Sequence, residues 1–302
     1  MNNELGANEF WKDINNDIIN ESNFKDSFKD FKRNDINYKI SIFNPEKNGV
    51  RYLKTLIYNL VYDMSDKQLD KLKKLENRNF GNPYTVKVRD VDIDLDYYQA
   101  LDELSFIEES FDFKESHILE IGAGYGRTPH TILSNHDISS YTIIDLKDTL
   151  FISQNYLKEV LKLEQYNKIT FLSVEEFELS QLTNFDLTIN IDSFAEMDEK
   201  VVYEYFNIID KYSKFFYTKN PVGKYLDKTL DNHSQGKKII EQALKNGILK
   251  DILDIDCDID IKKCSNKFVS AYLPNNNWKM LSESWAKPFS YYWQVIYKKE
   301  GK

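Results

Sequence analysis

The chain has 302 residues and carries 40 basic against 49 acidic side chains, a formal net charge of −9. This acidic balance disfavours nucleic acid as the main partner, so none is expected, because binding a phosphate backbone needs clustered positive charge. The chain shows neither a signal-peptide pattern nor an apolar run of membrane-spanning length, so the sequence predicts a cytoplasmic protein without membrane insertion. The two cysteines, Cys257 and Cys264, are expected to be reduced thiols.

Residues 1–95 are predicted to form a separate, mostly helical N-terminal region. Apolar residues recur at helical spacing between Phe10 and Ile19, and again between Leu53 and Leu75. We interpret these helices as a scaffold, a lid or a dimer surface, so a homodimer is one expected assembly.

A strand or hairpin is predicted at Tyr84–Leu95, followed by a capped helix from Asp96. Aspartates alternate with other residues in Asp90–Asp96 and again in Asp254–Asp260. Neither run has the central glycine and closing glutamate of an EF-hand loop, so both are interpreted as solvated strand faces. No metal is expected.

From residue 117 the chain alternates strand-like and helix-like segments, a pattern typical of a parallel α/β sheet. The predicted strands are 117–122, 141–146, 168–173, 186–191 and 214–219, and the predicted helices are 128–137, 148–165, 175–182, 198–212 and 222–249.

Three alternate glycines follow the first of these strands, in EIGAGYGRT at 120–128. Glycines before a helix N-terminus let a ligand approach bare main chain. The dinucleotide fingerprint G-x-G-x-x-G is not matched, because Arg127 stands at its third glycine. Glu120, two positions before the first glycine, would repel a pyrophosphate and attract a cationic amino-acid group.

The second strand ends in Asp145, about twenty residues beyond the glycines, where a doubly wound fold places a ribose-binding acid. Ligands of such sheets bind at the carboxyl ends of the strands. The other residues expected there are Ser173–Glu175, Asn190–Ser193 and Lys219–Asn220.

The register E-x-G-x-G-x-G resembles motif I of class I S-adenosylmethionine (SAM)-dependent methyltransferases. A narrower resemblance, to the bacterial sugar O-methyltransferases of capsule and lipopolysaccharide gene clusters, rests on five segments in order. These are FGNP at 80–83, EIGAGYGRT at 120–128, YTIIDL with SQNYL within 141–157, NIDSFAEM at 190–197 and FYTKNP at 216–221. The resemblance covers about residues 80–302; Lys147 departs from it, since members often have proline there.

This resemblance implies an α/β fold of the Rossmann-like methyltransferase type, a seven-stranded mixed sheet with an N-terminal helical appendage. Residues 96–302 would form the SAM-dependent domain, and the aromatic segment 279–297 suits its antiparallel final hairpin. The implied cofactor residues are Glu120, Gly122, Ala123, Gly124, Tyr125, Gly126, Arg127, Asp145, Leu146, Ser173, Val174, Glu175 and Asn190.

The implied reaction transfers a methyl group to a hydroxyl of a free or nucleotide-activated sugar in surface-polysaccharide synthesis. A base beside the hydroxyl would assist, and the candidates are Asp192, Glu196 and His233. Asp192 could equally cap the segment that follows it, and His233 could be a solvated loop residue.

Three alternatives stay open: methylation of another small polar acceptor at nitrogen or oxygen, an NAD-dependent oxidoreductase, and a catalytically silent SAM-fold module. The oxidoreductase is disfavoured by Glu120, by Arg127 and by the aromatic C-terminal segment.

Overall fold

The computed structural model describes residues 9–27, 29–225 and 237–301. The chain divides into two compact units, Met1–Asn59 and Leu60–Lys302. The domain boundary near residue 95 stays a prediction from the sequence. The described helices of the N-terminal part are α1 (Glu9–Asp17), α2 (Glu21–Ser27), α3 (Asp35–Ile40) and α4 (Gly49–Val61), with a 3-10 turn at Phe31–Arg33.

The second unit begins with a helix, a hairpin and a long helix: α5 (Asp66–Lys73), β1 (Val86–Val88), β2 (Val91–Ile93) and α6 (Leu95–Glu108). The predicted hairpin is confirmed, and its turn residues Arg89 and Asp90 have φ of 47° and 60°. The cap of α6 is Asp94, whose side chain accepts a 3.0 Å hydrogen bond from the backbone N–H of Tyr97. The helix therefore begins at Leu95, slightly before the predicted start.

A seven-stranded sheet dominates the described part of the second unit. Its strands are β3 (His117–Ile121), β4 (Ser140–Asp145), β5 (Ile169–Ser173), β6 (Phe185–Ile191), β7 (Ser213–Pro221), β8 (Trp278–Trp285) and β9 (Tyr292–Lys299), in the order β5-β4-β3-β6-β7-β9-β8. The first five run parallel, whereas β9 is antiparallel to both β7 and β8. This is the predicted Rossmann-like methyltransferase sheet with its antiparallel final hairpin.

Helices cover both faces of this sheet: α7 (Arg127–Asn135), α8 (Lys147–Val160), α9 (Leu163–Tyr166), α10 (Glu199–Tyr212) and α12 (Asp258–Ala271). A further helix, α11 (Lys237–Lys245), lies between β7 and α12 in the chain. One apolar layer contains Leu104, Ile132 and Leu157 from α6, α7 and α8, and the other contains Phe206 and Phe268 from α10 and α12. Burial on both faces explains the near-continuous apolar runs in the parallel strands. None of the described helices is both long and apolar enough to cross a bilayer.

Three sequence predictions were wrong. Residues 175–182 form a turn and a 3-10 segment at Leu179–Gln181, because nearby side chains take up the backbone N–H groups. In this segment the N–H of Glu175 donates to Ser173, and that of Glu178 donates to Gln181.

The other two corrections concern the aspartate runs. Asp90–Asp96 is not a solvated strand face, because only Asp92 lies in a strand, Asp94 is 3% exposed as the cap of α6 and Asp96 belongs to that helix. Asp254–Asp260 is not a strand face either. Helix α12 begins at Asp258, with Asp258 and Asp260 in its first turn, where carboxylates complement the helix dipole. Asp260 and Asp254 also accept backbone N–H groups of the preceding turn, at 2.8 and 2.9 Å.

The predicted helices 148–165 and 222–249 hold only in part. The first is divided into α8 and α9. The second overlaps α11, but Lys224 lies in an isolated bridge with Ile252, and residues 226–236 lie outside the described residues.

Candidate functional site

The three glycines after β3 each have positive φ, but for different physical reasons. A Cβ at Gly122 would come within 2.3 Å of the Ser193 side chain, and one at Gly126 within 2.8 Å of Leu157. Gly124 has φ of 57° and nothing within 4 Å of a built Cβ. The outer two glycines therefore permit close packing of the loop, while the middle one leaves bare main chain open to a ligand.

Glu120 lies at the end of β3, beneath this loop, and is 1% exposed. One carboxylate oxygen accepts a 2.8 Å hydrogen bond from the phenol of Tyr141. Burial raises the pKa of Glu120 to about 7, against the opposing effect of hydrogen bonds from Tyr141 and Thr128. A cation brought next to this carboxyl group would favour its charged form.

Asp145, at the end of β4, is connected directly to the glycine loop. Its Oδ2 accepts the N–H of Gly124 at 3.0 Å, and its Oδ1 accepts that of Leu146 at 2.7 Å. Partial burial raises the pKa of Asp145, while these backbone hydrogen bonds oppose the rise. The carboxylate thus faces the open glycine from across the strand ends.

An apolar edge lies beside Asp145. Leu146 is 56% exposed and Val174 is 40% exposed, and the N–H of Val174 donates to the Asp145 carbonyl at 3.0 Å. Glu175 accepts hydrogen bonds from the Ser173 hydroxyl and from the Lys147 N–H. The predicted Ser173–Glu175 segment therefore adjoins the ends of β4 and β5, with apolar side chains available to a flat ring.

Two side chains next to the glycines, Tyr125 in the loop and Arg127 at the start of α7, contact α6. Arg127 donates to the Asp96 carbonyl at 2.9 Å and to the Glu103 carboxylate at 3.0 Å. The Tyr125 hydroxyl donates to the Asp96 side chain at 3.1 Å. Ala123, between them and Gly122, is partly buried against the apolar layer on the α6 side. Contact of Arg127 and Tyr125 with the cofactor stays a prediction; in the structure both side chains fix the loop to α6.

Asn190, at the end of β6, is fully buried. Its amide donates to the Ile121 carbonyl at 3.1 Å and to the Ser193 hydroxyl at 2.6 Å, and its oxygen accepts from Asn220 at 2.9 Å. These bonds join the ends of β3, β6 and β7. The predicted cofactor contact of Asn190 is untested, and its observed hydrogen bonds all hold the strand ends together.

The predicted base Asp192 follows β6 with φ of 66° and ψ of −33°, an unfavourable backbone conformation for a residue with a side chain. Its Oδ1 accepts a 2.8 Å hydrogen bond from the Tyr292 hydroxyl. The side chain makes no cap hydrogen bond to the short 3-10 segment after it, so the capping alternative is not what the structure shows. Glu196 lies nearby at the surface. Its pKa is raised mainly by partial burial and, to a smaller extent, by the negative charge of Asp192. His233 lies outside the described residues.

A buried charge cluster underlies this region. The carboxylate of Glu103 on α6 accepts from Lys219 Nζ at 2.7 Å and from Arg127 at 3.0 Å. Burial opposes the charge of Glu103, but the two cations prevail and lower its pKa. Helix α6 is thus tied both to the glycine-loop helix and to the end of β7, and removal of one partner would leave an uncompensated buried charge.

Tyr292 and Glu103 were missed by the sequence interpretation. Tyr292 begins β9, and it meets Asp192 only because β9 runs antiparallel to β7, pairing Pro221 with Tyr292. The richness of this segment in aromatic residues was the available signal. Glu103 gave no signal, because a single acidic residue on an amphipathic helix is usually solvated.

No protein-family model and no curated protein matches the chain. Similar solved structures include the pyocyanin biosynthetic protein PhzM (10% identity, 67% of this chain and 56% of that chain, TM-score 0.43). They also include the mitomycin 7-O-methyltransferase MmcR (10% identity, 68% and 56%, TM-score 0.44) and a SAM-dependent methyltransferase from Clostridium acetobutylicum (13% identity, 69% and 94%, TM-score 0.42). The matched region spans a little over half of the first two chains.

At such low identity and TM-score, these likenesses add nothing about a reaction or a cofactor. The fold is recognised from the strand order and from the antiparallel final hairpin of this chain itself. Among the described residues, no group of three or more histidine, cysteine or acidic side chains is arranged to hold a metal ion.

Proposed function

We propose that this chain is a SAM-dependent methyltransferase. The observation that carries the proposal is the environment of Gly124. This glycine has positive φ and open space beside its Cα, and its N–H donates a hydrogen bond to the carboxylate of Asp145 at the end of β4. A side chain at Gly124 would occupy the space through which a ligand reaches the main chain. This arrangement, in a sheet of methyltransferase strand order, fits a nucleoside linked to an amino acid.

The residues around Gly124 fit the three parts of SAM. The buried carboxyl of Glu120 suits the cationic amino-acid end, and Asp145 suits the two ribose hydroxyls. Leu146 and Val174 offer exposed apolar surface for the adenine ring. Bound SAM would supply a methyl group activated by its sulfonium charge.

We propose a sugar hydroxyl as the acceptor, positioned over the ends of β6 and β7. Support comes from the sequence resemblance of residues 80–302 and from the acidic side chains that follow β6, Asp192 and Glu196. A new oxygen–carbon bond would form as the carbon–sulfur bond breaks, and Asp192 would accept the hydroxyl proton. Positioning of the two reactants would provide much of the remaining acceleration.

Cofactor binding is tested by calorimetry with S-adenosylhomocysteine (SAH). Asp145→Ala should weaken binding about tenfold or more, since a charged hydrogen-bond acceptor is lost. The matched control Asp148→Ala removes an exposed carboxylate only three residues away and should bind normally. Binding of NAD in preference to SAH would replace the proposal with the oxidoreductase alternative.

The acceptor is tested by incubating the full chain with isotopically labelled SAM and a panel of free and nucleotide-activated sugars, read by mass spectrometry. Transfer to a sugar oxygen is the expected result. Transfer only to an amine or a phenol would reassign the acceptor, and tight SAH binding without any transfer would favour the silent module. We propose that the reaction occurs in the cytoplasm and needs no metal, so EDTA should leave it unchanged.

A further inference from the structure

A cluster of aromatic rings lies at the same edge of the sheet as Asp192. We call it the aromatic platform and define it as Tyr225, Trp285, Phe289, Tyr291 and Tyr292. Successive ring centroids lie 5.1 Å apart for Tyr225–Tyr291, 5.3 Å for Tyr291–Tyr292 and 5.5 Å for Phe289–Tyr292. Phe289 and Tyr291 belong to the connection between β8 and β9, Trp285 and Tyr292 flank this connection, and Tyr225 follows β7.

The topology explains why this connection reaches the candidate site. Since β9 is antiparallel to β7, its first residue, Tyr292, pairs with Pro221 at the carboxyl end of β7. Trp285, the last residue of β8, pairs with Trp293 on the other side of β9. The loop between β8 and β9 therefore lies at the edge where the parallel strands end, and the Tyr292 hydroxyl contacts Asp192 directly.

The platform is held by hydrogen bonds within the loop. The indole N–H of Trp285 donates to the Phe289 carbonyl at 2.8 Å, and the N–H of Tyr292 donates to the same carbonyl at 3.2 Å. Ala286, which is 1% exposed, donates its N–H to the Tyr292 carbonyl at 2.9 Å. The rings are thus ordered before any ligand arrives, which lowers the entropic cost of binding.

Two of these ordered rings remain open to solvent. Trp285 is 44% exposed and Phe289 is 39% exposed, although each belongs to a residue type that usually gains by burial. Packing of the fold does not account for exposed rings in and beside the loop that ends at Tyr292, the residue that contacts Asp192. A ligand-binding surface would account for both exposed rings.

We infer that the aromatic platform binds a pyranose ring of the acceptor face-on. One face of a pyranose presents a patch of C–H groups, which matches the electron-rich face of an aromatic ring. Its hydroxyls project from the rim, where the carboxylate of Asp192, which is hydrogen-bonded to the Tyr292 hydroxyl, can meet them.

This inference rests on the proposed acceptor class, but its test does not depend on methyl transfer. The full chain has only four tryptophans, so their indole N–H resonances can be followed by NMR in ¹⁵N-labelled protein without SAM. Trp285→Phe identifies the Trp285 signal. The probes are methyl β-D-glucopyranoside, methyl β-D-galactopyranoside and lactose, with sorbitol as an open-chain polyol control.

The expected result is a saturable shift of the Trp285 resonance by at least one glycoside and none by sorbitol. Phe289→Ala should weaken this binding about tenfold, whereas Phe289→Tyr, which keeps the ring, should restore it. Tyr203→Ala, which removes a half-exposed ring on α10, is the matched control and should bind normally. A Trp285 signal unmoved by every glycoside, or moved equally by sorbitol, would overturn the inference.

Failure of this inference can be distinguished from failure of the proposed function. Glycoside binding at Trp285 together with no transfer to any sugar would reject sugar methylation and retain the platform. Sugar methylation with an unchanged KM for the acceptor in folded Phe289→Ala would reject the platform and retain the function.

Discussion

The hydroxyl of Tyr292 donates a 2.8 Å hydrogen bond to Oδ1 of Asp192, across 100 positions of sequence. The backbone N–H of Asp192 also donates to the Lys219 carbonyl at 2.8 Å. Asp192 is thus held from two strands in a backbone conformation with φ of 66° that costs about 1 to 3 kcal/mol. Such strain persists only where the surroundings determine it, and here it directs a carboxylate towards the proposed acceptor.

We therefore expect Asp192→Asn to lower kcat by about 10²- to 10⁴-fold, the usual contribution of a general base. Asparagine keeps the size of the side chain and can still accept from Tyr292, so SAH affinity should not change. Both quantities are measured with the acceptor found in the sugar panel. Near-native turnover in Asp192→Asn would move the base to another residue, and His233→Ala would then be the deciding variant.

Tyr292→Phe tests positioning, because it removes only the hydroxyl that holds Asp192. We expect kcat to fall about tenfold with little change in acceptor KM, since one hydrogen bond to a charged group is lost. The pH dependence of kcat should also shift, which a purely structural role of the ring would not produce. An unchanged pH profile would contradict the positioning role.

The glycine loop offers a contrast between two neighbouring positions. Gly126→Ala should destabilise the fold by at least about 2 kcal/mol, because φ of 102° disfavours alanine and its Cβ would meet Leu157. Gly124→Ala should cost only about 1 kcal/mol, because its Cβ enters open space, yet it should weaken SAH binding severely.

Thermal melting and SAH calorimetry on both glycine variants separate the two effects. A Gly124→Ala protein that binds SAH normally would show that the open face of the loop is not the binding surface. A Gly126→Ala protein with native stability would show that Leu157 moves aside without cost.

The raised pKa of Glu120 leads us to expect a pH-dependent cofactor affinity. Its pKa of about 7, raised by burial, leaves a substantial protonated fraction at neutral pH. A cationic cofactor favours the carboxylate, so SAH binding should release a proton and strengthen as the pH rises between about 6 and 8. Calorimetry in buffers with different ionisation enthalpies counts the released proton, and Glu120→Gln should abolish the release.

The burial of His130 leads us to expect that the free energy of unfolding depends on pH. It is fully buried on α7, its Nδ1 is hydrogen-bonded to the Tyr97 hydroxyl, and Tyr97 in turn contacts the Tyr156 hydroxyl. Burial, with a smaller contribution from Arg78, lowers the pKa of His130 to about 4. The unfolded chain, with a histidine pKa of about 6.5, therefore binds the proton more tightly than the folded one.

Between about pH 6.5 and pH 4 the free energy of unfolding should consequently fall as the pH falls, by up to about 3 kcal/mol from this residue. Urea unfolding across this range measures the slope. His130→Gln should flatten it, whereas His117→Gln, at an exposed strand end, should leave it unchanged. Equal slopes in the wild type and His130→Gln would contradict the assignment.

Local patterns in the amino-acid sequence are enough to locate the central sheet and the glycine loop with its neighbouring acid. Hydrophobic period, turn residues and glycine spacing each act over a few residues, so they predict the strands β3 to β7, the loop from Glu120 to Gly126 and the acid Asp145. The antiparallel final hairpin was also predicted, because both the family resemblance and the aromatic C-terminal segment indicated it. Local signals failed where side chains compete for backbone hydrogen bonds, at 175–182 and at Asp254–Asp260.

How these parts meet depends on the tertiary structure. The contacts that build the candidate site join residues distant in the chain. They are the hydrogen bond from Tyr292 to Asp192, the ion pairs of Glu103 with Lys219 and Arg127, and the hydrogen bonds of buried Asn190. Such contacts depend on which strands become neighbours and on which residues of a helix face inward, and no short sequence pattern encodes either. The same topology brings the aromatic platform to the carboxyl edge of the sheet, because β9 returns antiparallel beside β7 and begins where β7 ends.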